Sequence, residues 1–296
     1  MKRTLLILGL CFGLLISVSH SKDEDGKIAI TTSSEKAIKS YLQGRDLSDK
    51  LRGTDARSYF QNAVAEDPNF AVGFLNLALT EPTANGFFEQ LNKAVALVDK
   101  ASEGEKLWIL GVEAGTNGDP KKQNELYQKL VKLYPGDERA YNLLGGNYFG
   151  QQDYANAIAQ YEKAVQMAPD YSQPYNQLGY SHRFMGNFKE AEMAFKKYID
   201  LIPNDPNPYD SYAELLMKMG KYDESITNYQ KALAIDPNFV ASHIGIAVNQ
   251  IYKDNQQAAR EQLQKLNNVA RNDGERRAAL FTAAVSYADE GKMDLA

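Results

Sequence analysis

Three consecutive segments of 34 residues decide the fold of this chain, and they read ERAYNLLGGNYFGQQDYANAIAQYEKAVQMAPDY (138–171), SQPYNQLGYSHRFMGNFKEAEMAFKKYIDLIPND (172–205) and PNPYDSYAELLMKMGKYDESITNYQKALAIDPNF (206–239). Numbered from 1 to 34, each segment carries a tyrosine at position 4 and a proline at position 32. One further proline, Pro135, precedes Pro169, Pro203 and Pro237 at the same spacing. A constant period of this length is typical of stacked modules that cannot bury their apolar faces alone. We therefore predict a tandem array of structural repeats.

Within each segment the apolar residues follow a helical period. Tyr141, Leu144 and Tyr148 share one face of a first helix, and Ala157 and Tyr161 share one face of a second. The glycine-containing turn at 186–187 separates two such patterns, and the proline near position 32 closes the second helix because a helix interior does not tolerate it. Each segment is therefore predicted to be a hairpin of two helices.

The same frame extends in both directions, with weaker copies that start at Ala37, Ala71, Gly104, Val240 and Arg277. Position 8 holds the smallest side chains in all eight copies, namely Gly44, Ala78, Gly111, Gly145, Gly179, Ala213, Ala247 and Ala284. A glycine inside a helix costs about 1 kcal/mol relative to alanine, so its recurrence needs a steric reason. Close approach of the two helices of a hairpin supplies that reason.

These residues resemble the tetratricopeptide repeat family, whose pattern has an aromatic residue at 4, Leu at 7, Gly at 8, Ala at 20, Phe or Tyr at 24 and Pro at 32. The resemblance covers 37–296 and implies an all-α fold, a right-handed α-solenoid of about 7.5 hairpins. Its repeats are expected near 37–70, 71–103, 104–137, 138–171, 172–205, 206–239 and 240–273, with a partial copy at 277–296. Three residues depart from the pattern. Pro82 predicts a kink or an irregular turn, Gln123 replaces the small residue at 20, and Arg271 replaces the proline.

The first 21 residues are a different kind of sequence. Lys2 and Arg3 give a basic start, residues 5–18 are apolar, and small residues follow near 17–21. This order predicts a secretory signal peptide at 1–21, and residues 22–36 are expected to form a mobile polar linker. Cleavage is favoured over an uncleaved anchor or lipidation at Cys11. The expected localisation is exported, periplasmic or secreted, in a bacterium, with no stable transmembrane span after signal removal.

Charge and cysteine content exclude several classes of function. Without residues 1–21 the chain has 31 basic and 38 acidic residues, a formal charge of −7, and no basic tract. Electrostatic attraction to nucleic acid is therefore not expected. Cys11 is the only cysteine, so a cleaved chain would have no thiol for a disulfide, a zinc site or nucleophilic catalysis.

The sequence contains no recognisable catalytic constellation. His182 and His243 fall at positions 11 and 4, where other copies carry tyrosine, so both are expected in hairpin cores. There is no nucleophile elbow, no zinc-protease motif and no phosphate-binding glycine loop. We predict no catalytic residue, no metal site and no cofactor, and the chain is not expected to be an enzyme.

The resemblance implies that the first helices, chiefly at positions 2, 5, 9, 12 and 13, build a concave wall that binds a protein or peptide segment. The candidate partner-binding residues are Trp108, Arg139, Asn142, Gln173, Asn176, Tyr180, Arg183, Phe184, Asn207, Asp210 and Glu214. Asn142 and Asn176 are equivalent and each can donate to and accept from a peptide backbone. The alternative is that they are ordinary polar residues on a solvated face.

Three functions fit this pattern. The favoured one is a non-catalytic protein-interaction scaffold in a bacterial envelope or secretion-related assembly. A second is a substrate-positioning or regulatory module of a larger enzyme or sensor. The copy that starts at Arg277 ends at position 20 with Ala296, which indicates a fragment or a last hairpin that frays or is completed by a partner. A third is a glycan or small-molecule groove near Trp108, Tyr180 and Phe184.

Overall fold

The computed structural model describes residues 26–296, so the predicted signal peptide and Cys11 lie outside the described residues. Within 26–296 the chain forms fifteen α-helices, one short 3₁₀ helix at Val98–Lys100 and no strand. The α-helices are α1 (Glu35–Asp49), α2 (Gly53–Glu66), α3 (Ala71–Thr80), α4 (Ala84–Ala96), α5 (Glu103–Thr116), α6 (Pro120–Leu133), α7 (Glu138–Gly150), α8 (Tyr154–Met167), α9 (Ser172–Phe184), α10 (Phe188–Leu201), α11 (Pro206–Lys218), α12 (Tyr222–Ile235), α13 (Val240–Tyr252), α14 (Gln256–Val269) and α15 (Asp273–Asp289).

Consecutive helices pair into seven hairpins, from α1 and α2 to α13 and α14, and each hairpin packs on the next. Helix α15 packs against α13 and α14, in the place where the first helix of an eighth hairpin belongs. The buried side chains form a chain of clusters along this stack instead of one centre. This is the architecture of an α-solenoid, and the predicted all-α class is confirmed.

The small residue at position 8 lies under the ring at position 24 of the same hairpin. A Cβ added to Gly145 would come within 2.6 Å of the Tyr161 ring, and one added to Gly179 would come within 2.5 Å of Phe195. Real Cβ atoms essentially never approach this closely, so the ring occupies the space that a side chain would need. The steric reason predicted for position 8 is therefore present.

A second positional rule appears only in the structure. The hairpin turns place position 15 in the left-handed region, with φ of +79° at Gly118 and Gly186 and +74° at Gly220. In three other hairpins the same position holds residues that are not glycine, namely Leu51 with φ 60°, Gln152 with φ 61° and Asp254 with φ 55°. A residue with a Cβ is strained in this region, so these turns carry a local energetic cost.

The departures from the repeat pattern are absorbed locally. Pro82 does not kink a helix, because α3 ends at Thr80 and the proline lies in the turn before α4. The Gln123 side chain lies over Gly115, where an added Cβ would come within 2.5 Å of its amide nitrogen. Helix α14 ends at Val269 without a proline, and Arg271 instead donates its backbone N–H to Glu275.

The part of the predicted linker that the structure describes is not a free tether. The Ile28 N–H donates to Asp137 Oδ2 at 2.9 Å, and the Thr31 N–H donates to Glu105 Oε1 at 2.9 Å. Glu105 also forms the capping box that begins α5, and its side chain is almost fully buried. The expectation of a mobile polar linker is wrong for 26–34, because buried carboxylates at two helix N-termini hold its backbone.

Candidate functional site

The concave side contains a cavity of about 380 Å³ that we call the chamber. Residues 48–53, which span the end of α1, the turn and the first residue of α2, contribute to its lining and form what we call the roof loop. Its walls come from first helices of successive hairpins. The chamber is lined by Arg45, Ser48, Asp49, Leu51, Gly53, Asn76, Leu79, Thr80, Trp108, Val112, Arg139, Asn142, Leu143, Tyr171 and Gln173.

The roof loop is held by residues far away in the sequence. Asp49 pairs with Arg139 of α7, and the Ser172 hydroxyl at the start of α9 donates to the Asp49 carbonyl at 3.1 Å. Arg52 lies 4.0 Å from a carboxylate oxygen of Asp205, which caps α11. The first hairpin therefore reaches over the fourth, fifth and sixth, and closes one end of the concave surface.

Arg139 is the charged centre of the chamber. It donates to Glu138 at 2.6 Å and lies 4.9 Å above the ring of Tyr171. Burial alone would lower the pKa of its guanidinium, but the charges of Asp49, Tyr171 and Glu138 and the hydrogen bond to Asp49 together outweigh burial and raise that pKa above its ordinary value. Burial raises the pKa of the Asp49 carboxyl, and Arg139 opposes that rise. The guanidinium is therefore a cation with two carboxylate partners, Asp49 and Glu138.

A small amide cluster lies beside Arg139. Asn142 donates its Nδ2–H to the Tyr171 hydroxyl and to Gln173 Oε1, each at 3.2 Å, and the same hydroxyl donates to Gln173 at 2.9 Å. Trp108 of α5 packs against both the cluster of the first hairpins and the cluster that includes α7. Four predicted partner-binding residues, Trp108, Arg139, Asn142 and Gln173, thus line one cavity.

Beyond the chamber the concave surface opens into what we call the open groove, formed by Leu143, Gly146, Phe149, Gln173 and Gln177 on α7 and α9. Gly146 is exposed, and a Cβ added there would meet only the Tyr161 hydroxyl, at 3.9 Å. The Gln177 side chain makes no hydrogen bond within 26–296. The groove therefore offers an accessible backbone and a free amide.

Three rings form an aromatic rim where the groove meets the hairpin turns. Phe184 stacks on Tyr154 with centroids 5.0 Å apart, and Phe149 contacts both rings edge-on. The Arg183 guanidinium lies 5.4 Å from the Phe184 ring. The side chain of Phe184 is 52% exposed although it is large and apolar, so it is the most accessible apolar group among the predicted binding residues.

Glu214 of α11 forms a polar network with two side chains of α9. It accepts from the Tyr180 hydroxyl at 2.8 Å and pairs with Arg183 at 2.8 Å. Asn207 of α11 accepts from the hydroxyl of Tyr198 on α10 at 3.1 Å, so its side chain is bonded to the preceding hairpin. Tyr180, Arg183, Asn207 and Glu214 are therefore internally paired, in contrast to the free Gln177 amide.

Asp210 and Asn176 were predicted to bind a partner, but one is bonded to a neighbouring helix and the other is buried. Asp210 accepts a hydrogen bond from Ser242 of α13 at 2.7 Å, and burial, helped by the charge of Glu214, raises its pKa to about 6. Asn176 is only 4% exposed. The predicted equivalence of Asn142 and Asn176 as peptide contacts is wrong, because Asn176 is buried whereas Asn142 lines both the chamber and the neighbouring cavity.

Several residues of the site were missed from the sequence. Arg45 and Asp49 belong to the first hairpin, which the repeat order places at the far end of the array. Tyr154 begins a second helix, and Tyr171 precedes α9, so neither falls at a position expected on the concave wall. Because the roof loop brings Asp49 to Arg139 across 90 residues, only the curvature of the whole array shows this contact.

No group of three or more His, Cys, Asp or Glu within 26–296 has metal-binding geometry. His243 donates its Nε2–H to the Pro237 carbonyl at 2.9 Å and accepts from the Gln262 amide at its other ring nitrogen, as expected of a core residue. No helix in the described range has the length and apolarity needed to span a bilayer.

The repeated helical hairpins and the curved inner wall define an α-solenoid repeat protein. Residues 136–204 match the family model described as Tetratricopeptide repeat, and residues 213–248 match one described as TPR repeat. Residues 136–204 and 213–248 are therefore tetratricopeptide repeats, and the other described hairpins have the same helical-hairpin architecture. No curated protein sequence matches the chain significantly.

Solved structures agree with this fold. MamA 41-end from Desulfovibrio magneticus RS-1 superposes with a TM-score of 0.51 at 16% identity, covering 58% of this chain and 98% of that one. A chain of the APC/C hetero-tetramer Cut9-Hcn1 superposes with a TM-score of 0.52 at 20% identity, covering 72% of this chain and 46% of that one. At these identities the likeness concerns the fold alone.

Proposed function

We propose that this protein is a non-catalytic scaffold that binds an extended segment of a partner protein in the open groove, with an apolar partner side chain on the aromatic rim. The exposed Phe184 ring, held by Tyr154 beside a groove with free polar groups, is the observation that carries the proposal. Interface cores are enriched in aromatic residues and arginine, and a few such residues supply most of the binding energy.

The groove suits an extended backbone. Exposed Gly146 lets a partner chain approach helix α7 closely, because no side chain stands between them. The Gln177 amide can donate to a carbonyl and accept from an N–H of the same partner backbone. Phe149 and Phe184 lie at the groove's end, so an apolar partner side chain would bury the exposed ring.

We also propose that the protein acts outside the cytoplasm, in a bacterial envelope or secretion-related assembly. The support is the basic start, apolar run and small residues within 1–21. The intact mass of protein recovered from the periplasm or medium tests this proposal. Loss of about the first 21 residues is expected, and recovery of only the uncleaved chain from the cytoplasm would contradict it.

Filling the groove tests the binding site itself. Gly146→Leu places a side chain where the Cβ meets no atom closer than 3.9 Å, so the fold should persist while the groove is blocked. Gly150→Leu is the matched control, because it adds the same side chain to the same helix in open space. In quantitative pull-downs from an envelope extract, Gly146→Leu and Phe184→Ala should each reduce recovery of the same partners about tenfold. Equal recovery by Gly146→Leu and Gly150→Leu would contradict the proposal.

A further inference from the structure

The chamber contains a positive charge that no carboxylate of the described residues pairs with. Its lining includes two cations, Arg45 and Arg139, and one carboxylate, Asp49. Arg139 pairs with Asp49 and with Glu138. The Arg45 side chain forms no ion pair and no hydrogen bond within the described residues, and its guanidinium carbon lies 5.9 Å from the centre of the Tyr41 ring. An unpaired cation in the wall of a cavity attracts an anion from outside the chain.

Both arginines act on the same carboxylate of the chamber. Burial raises the pKa of the Asp49 carboxyl, and the charges of Arg139 and Arg45 oppose that rise. A charge changes a pKa in this way only when it lies close to the carboxyl, so both guanidinium groups are near Asp49. Since Asp49 pairs with Arg139, the guanidinium of Arg45 is left for a further carboxylate.

The chamber is partly open and adjoins the open groove. Asn142, Leu143 and Gln173 line both cavities. Along α7, Phe149 lies at the end of the groove that meets the aromatic rim, and Asn142 lies at the end that meets the chamber. A partner segment in the open groove therefore leads from the rim to the chamber.

We propose that the partner segment in the open groove carries an acidic side chain that enters the chamber and pairs with Arg45, while an apolar side chain of the same segment packs on the aromatic rim. This inference rests on the proposed function, because the groove brings the segment to the chamber. Hydrogen bonds between a guanidinium and a carboxylate are stronger than those between neutral groups. Without residues 1–21 the chain has a formal charge of −7, so a positive chamber also selects where an acidic segment binds.

The geometry of α7 sets the spacing of the two side chains in the partner. Arg139 lines the chamber and Phe149 lies at the rim, and the two are ten residues apart on the helix. Ten residues correspond to about 15 Å along the helix axis. An extended chain rises about 3.3 Å per residue, so the acidic residue is expected about four or five positions from the apolar one.

Selection of binding peptides tests this inference. A phage-displayed library of random nonapeptides is panned on the purified protein, and the selected peptides are synthesised with an acetylated N-terminus and an amidated C-terminus. Blocked ends carry no terminal charge, so any effect of an acid belongs to its side chain. We expect Asp or Glu at the stated spacing from an apolar residue. Replacing that acid with Asn or Gln should weaken binding at least tenfold by calorimetry.

Three variants assign the effect to the chamber. Arg45→Met keeps a long unbranched side chain but removes the charge, so it should bind the acidic peptide about tenfold more weakly and the amide peptide with unchanged affinity. Asp49→Asn removes the carboxylate from the lining and should bind the acidic peptide at least threefold more tightly. Lys39→Met is the matched control, because it removes the same charge from an exposed position on the same helix, and its affinity should not change.

The outcomes separate this inference from the proposed function. Peptides that lose binding to Gly146→Leu but bind equally well with the acid or its amide would overturn the inference and leave the groove proposal standing. Equal affinity of the acidic peptide for wild type and Arg45→Met would overturn it as well. Failure to select any peptide that depends on Gly146 would contradict the groove proposal and this inference together.

Discussion

At the scale of single residues, the packing of the hairpins depends on glycines that leave room for an aromatic ring. In four hairpins a ring packs over a glycine of the same hairpin, as Tyr161 does over Gly145 and Tyr127 over Gly111. The sequence predicted this contact because a helical glycine needs a steric reason. The sequence did not predict that the Tyr229 ring would pack over Gly245 of the next hairpin. Position 8 of its own hairpin holds Ala213 instead of glycine.

Replacing Gly145 with alanine should lower the free energy of unfolding by about 1–3 kcal/mol, because the new Cβ would lie 2.6 Å from the Tyr161 ring and overpack the hairpin. Gly150→Ala on the same helix meets no atom within 4 Å and should be neutral or stabilise by up to about 1 kcal/mol. Urea unfolding of the two variants measures the contrast, and equal midpoints would contradict the packing.

Replacing Gln152 with glycine should stabilise the turn in which it lies. Gln152 has φ 61° and an exposed side chain, and its N–H bond to the Phe149 carbonyl does not involve the side chain. Gln152→Gly removes Cβ strain but increases the entropy of the unfolded chain, for a net gain of about 0.5–1 kcal/mol. Thermal unfolding should show a higher Tm, and Gln151→Gly, at a position without positive φ, should show a lower one.

Asp210 should make stability depend on pH. Its pKa in the folded protein is about 6, above its ordinary value of 3.8, because it is buried near Glu214. The folded state therefore keeps a proton that the unfolded state loses, and stability falls as the pH rises from about 4 to about 6. The groups around it are Glu214, which is paired with Arg183, together with Ser242 and Tyr229.

Asp210→Asn removes this titration and can still accept the hydrogen bond from Ser242. The variant should gain about 1–2 kcal/mol over wild type at pH 7, with most of the gain gone at pH 4. Denaturant unfolding at several pH values measures the difference. A gain that does not change between pH 4 and pH 7 would show that Asp210 does not titrate in this range.

At the scale of elements, each helix boundary is set by a short polar signal. Asp137 and Asp205 cap α7 and α11, and the Ser102–Glu105 capping box begins α5. The pairing of helices into hairpins and the positions of the turns could be predicted from the period of the sequence. The docking of 26–34 did not, because a polar stretch without periodicity shows no sign of which carboxylates will accept from its backbone.

Glu105→Gln tests how that segment is held. Glu105 accepts from the N–H groups of Thr31 and Ser102, and an amide has one accepting oxygen where the carboxylate has two. The Thr31 amide should exchange its hydrogen at least tenfold faster in the variant, and the Tm should fall. Glu103→Gln is the control, because Glu103 forms only an exposed pair with Lys129. Equal Thr31 protection in both variants would contradict the docking.

At the scale of the whole molecule, curvature produces the site. The roof loop contacts residues 90 and 123 positions away, so the concave surface contains the partly open chamber beside the open groove. The repeat period predicted which helices form the inner wall, and it placed Trp108, Asn142 and Gln173 there. It could not predict the roof, because Asp49 and Arg139 meet only through the accumulated rotation of several hairpins.

The claim that the open groove binds a partner segment is tested most directly by site-specific photocrosslinking. A benzophenone amino acid at Phe184 lies on the aromatic rim, and the same group at Leu133, an exposed residue on the second helix of its hairpin, is the control. We predict partner adducts from position 184 that disappear in the Gly146→Leu background, and none from position 133. Equal adducts at both positions, or adducts at 184 that survive the filled groove, would contradict the account.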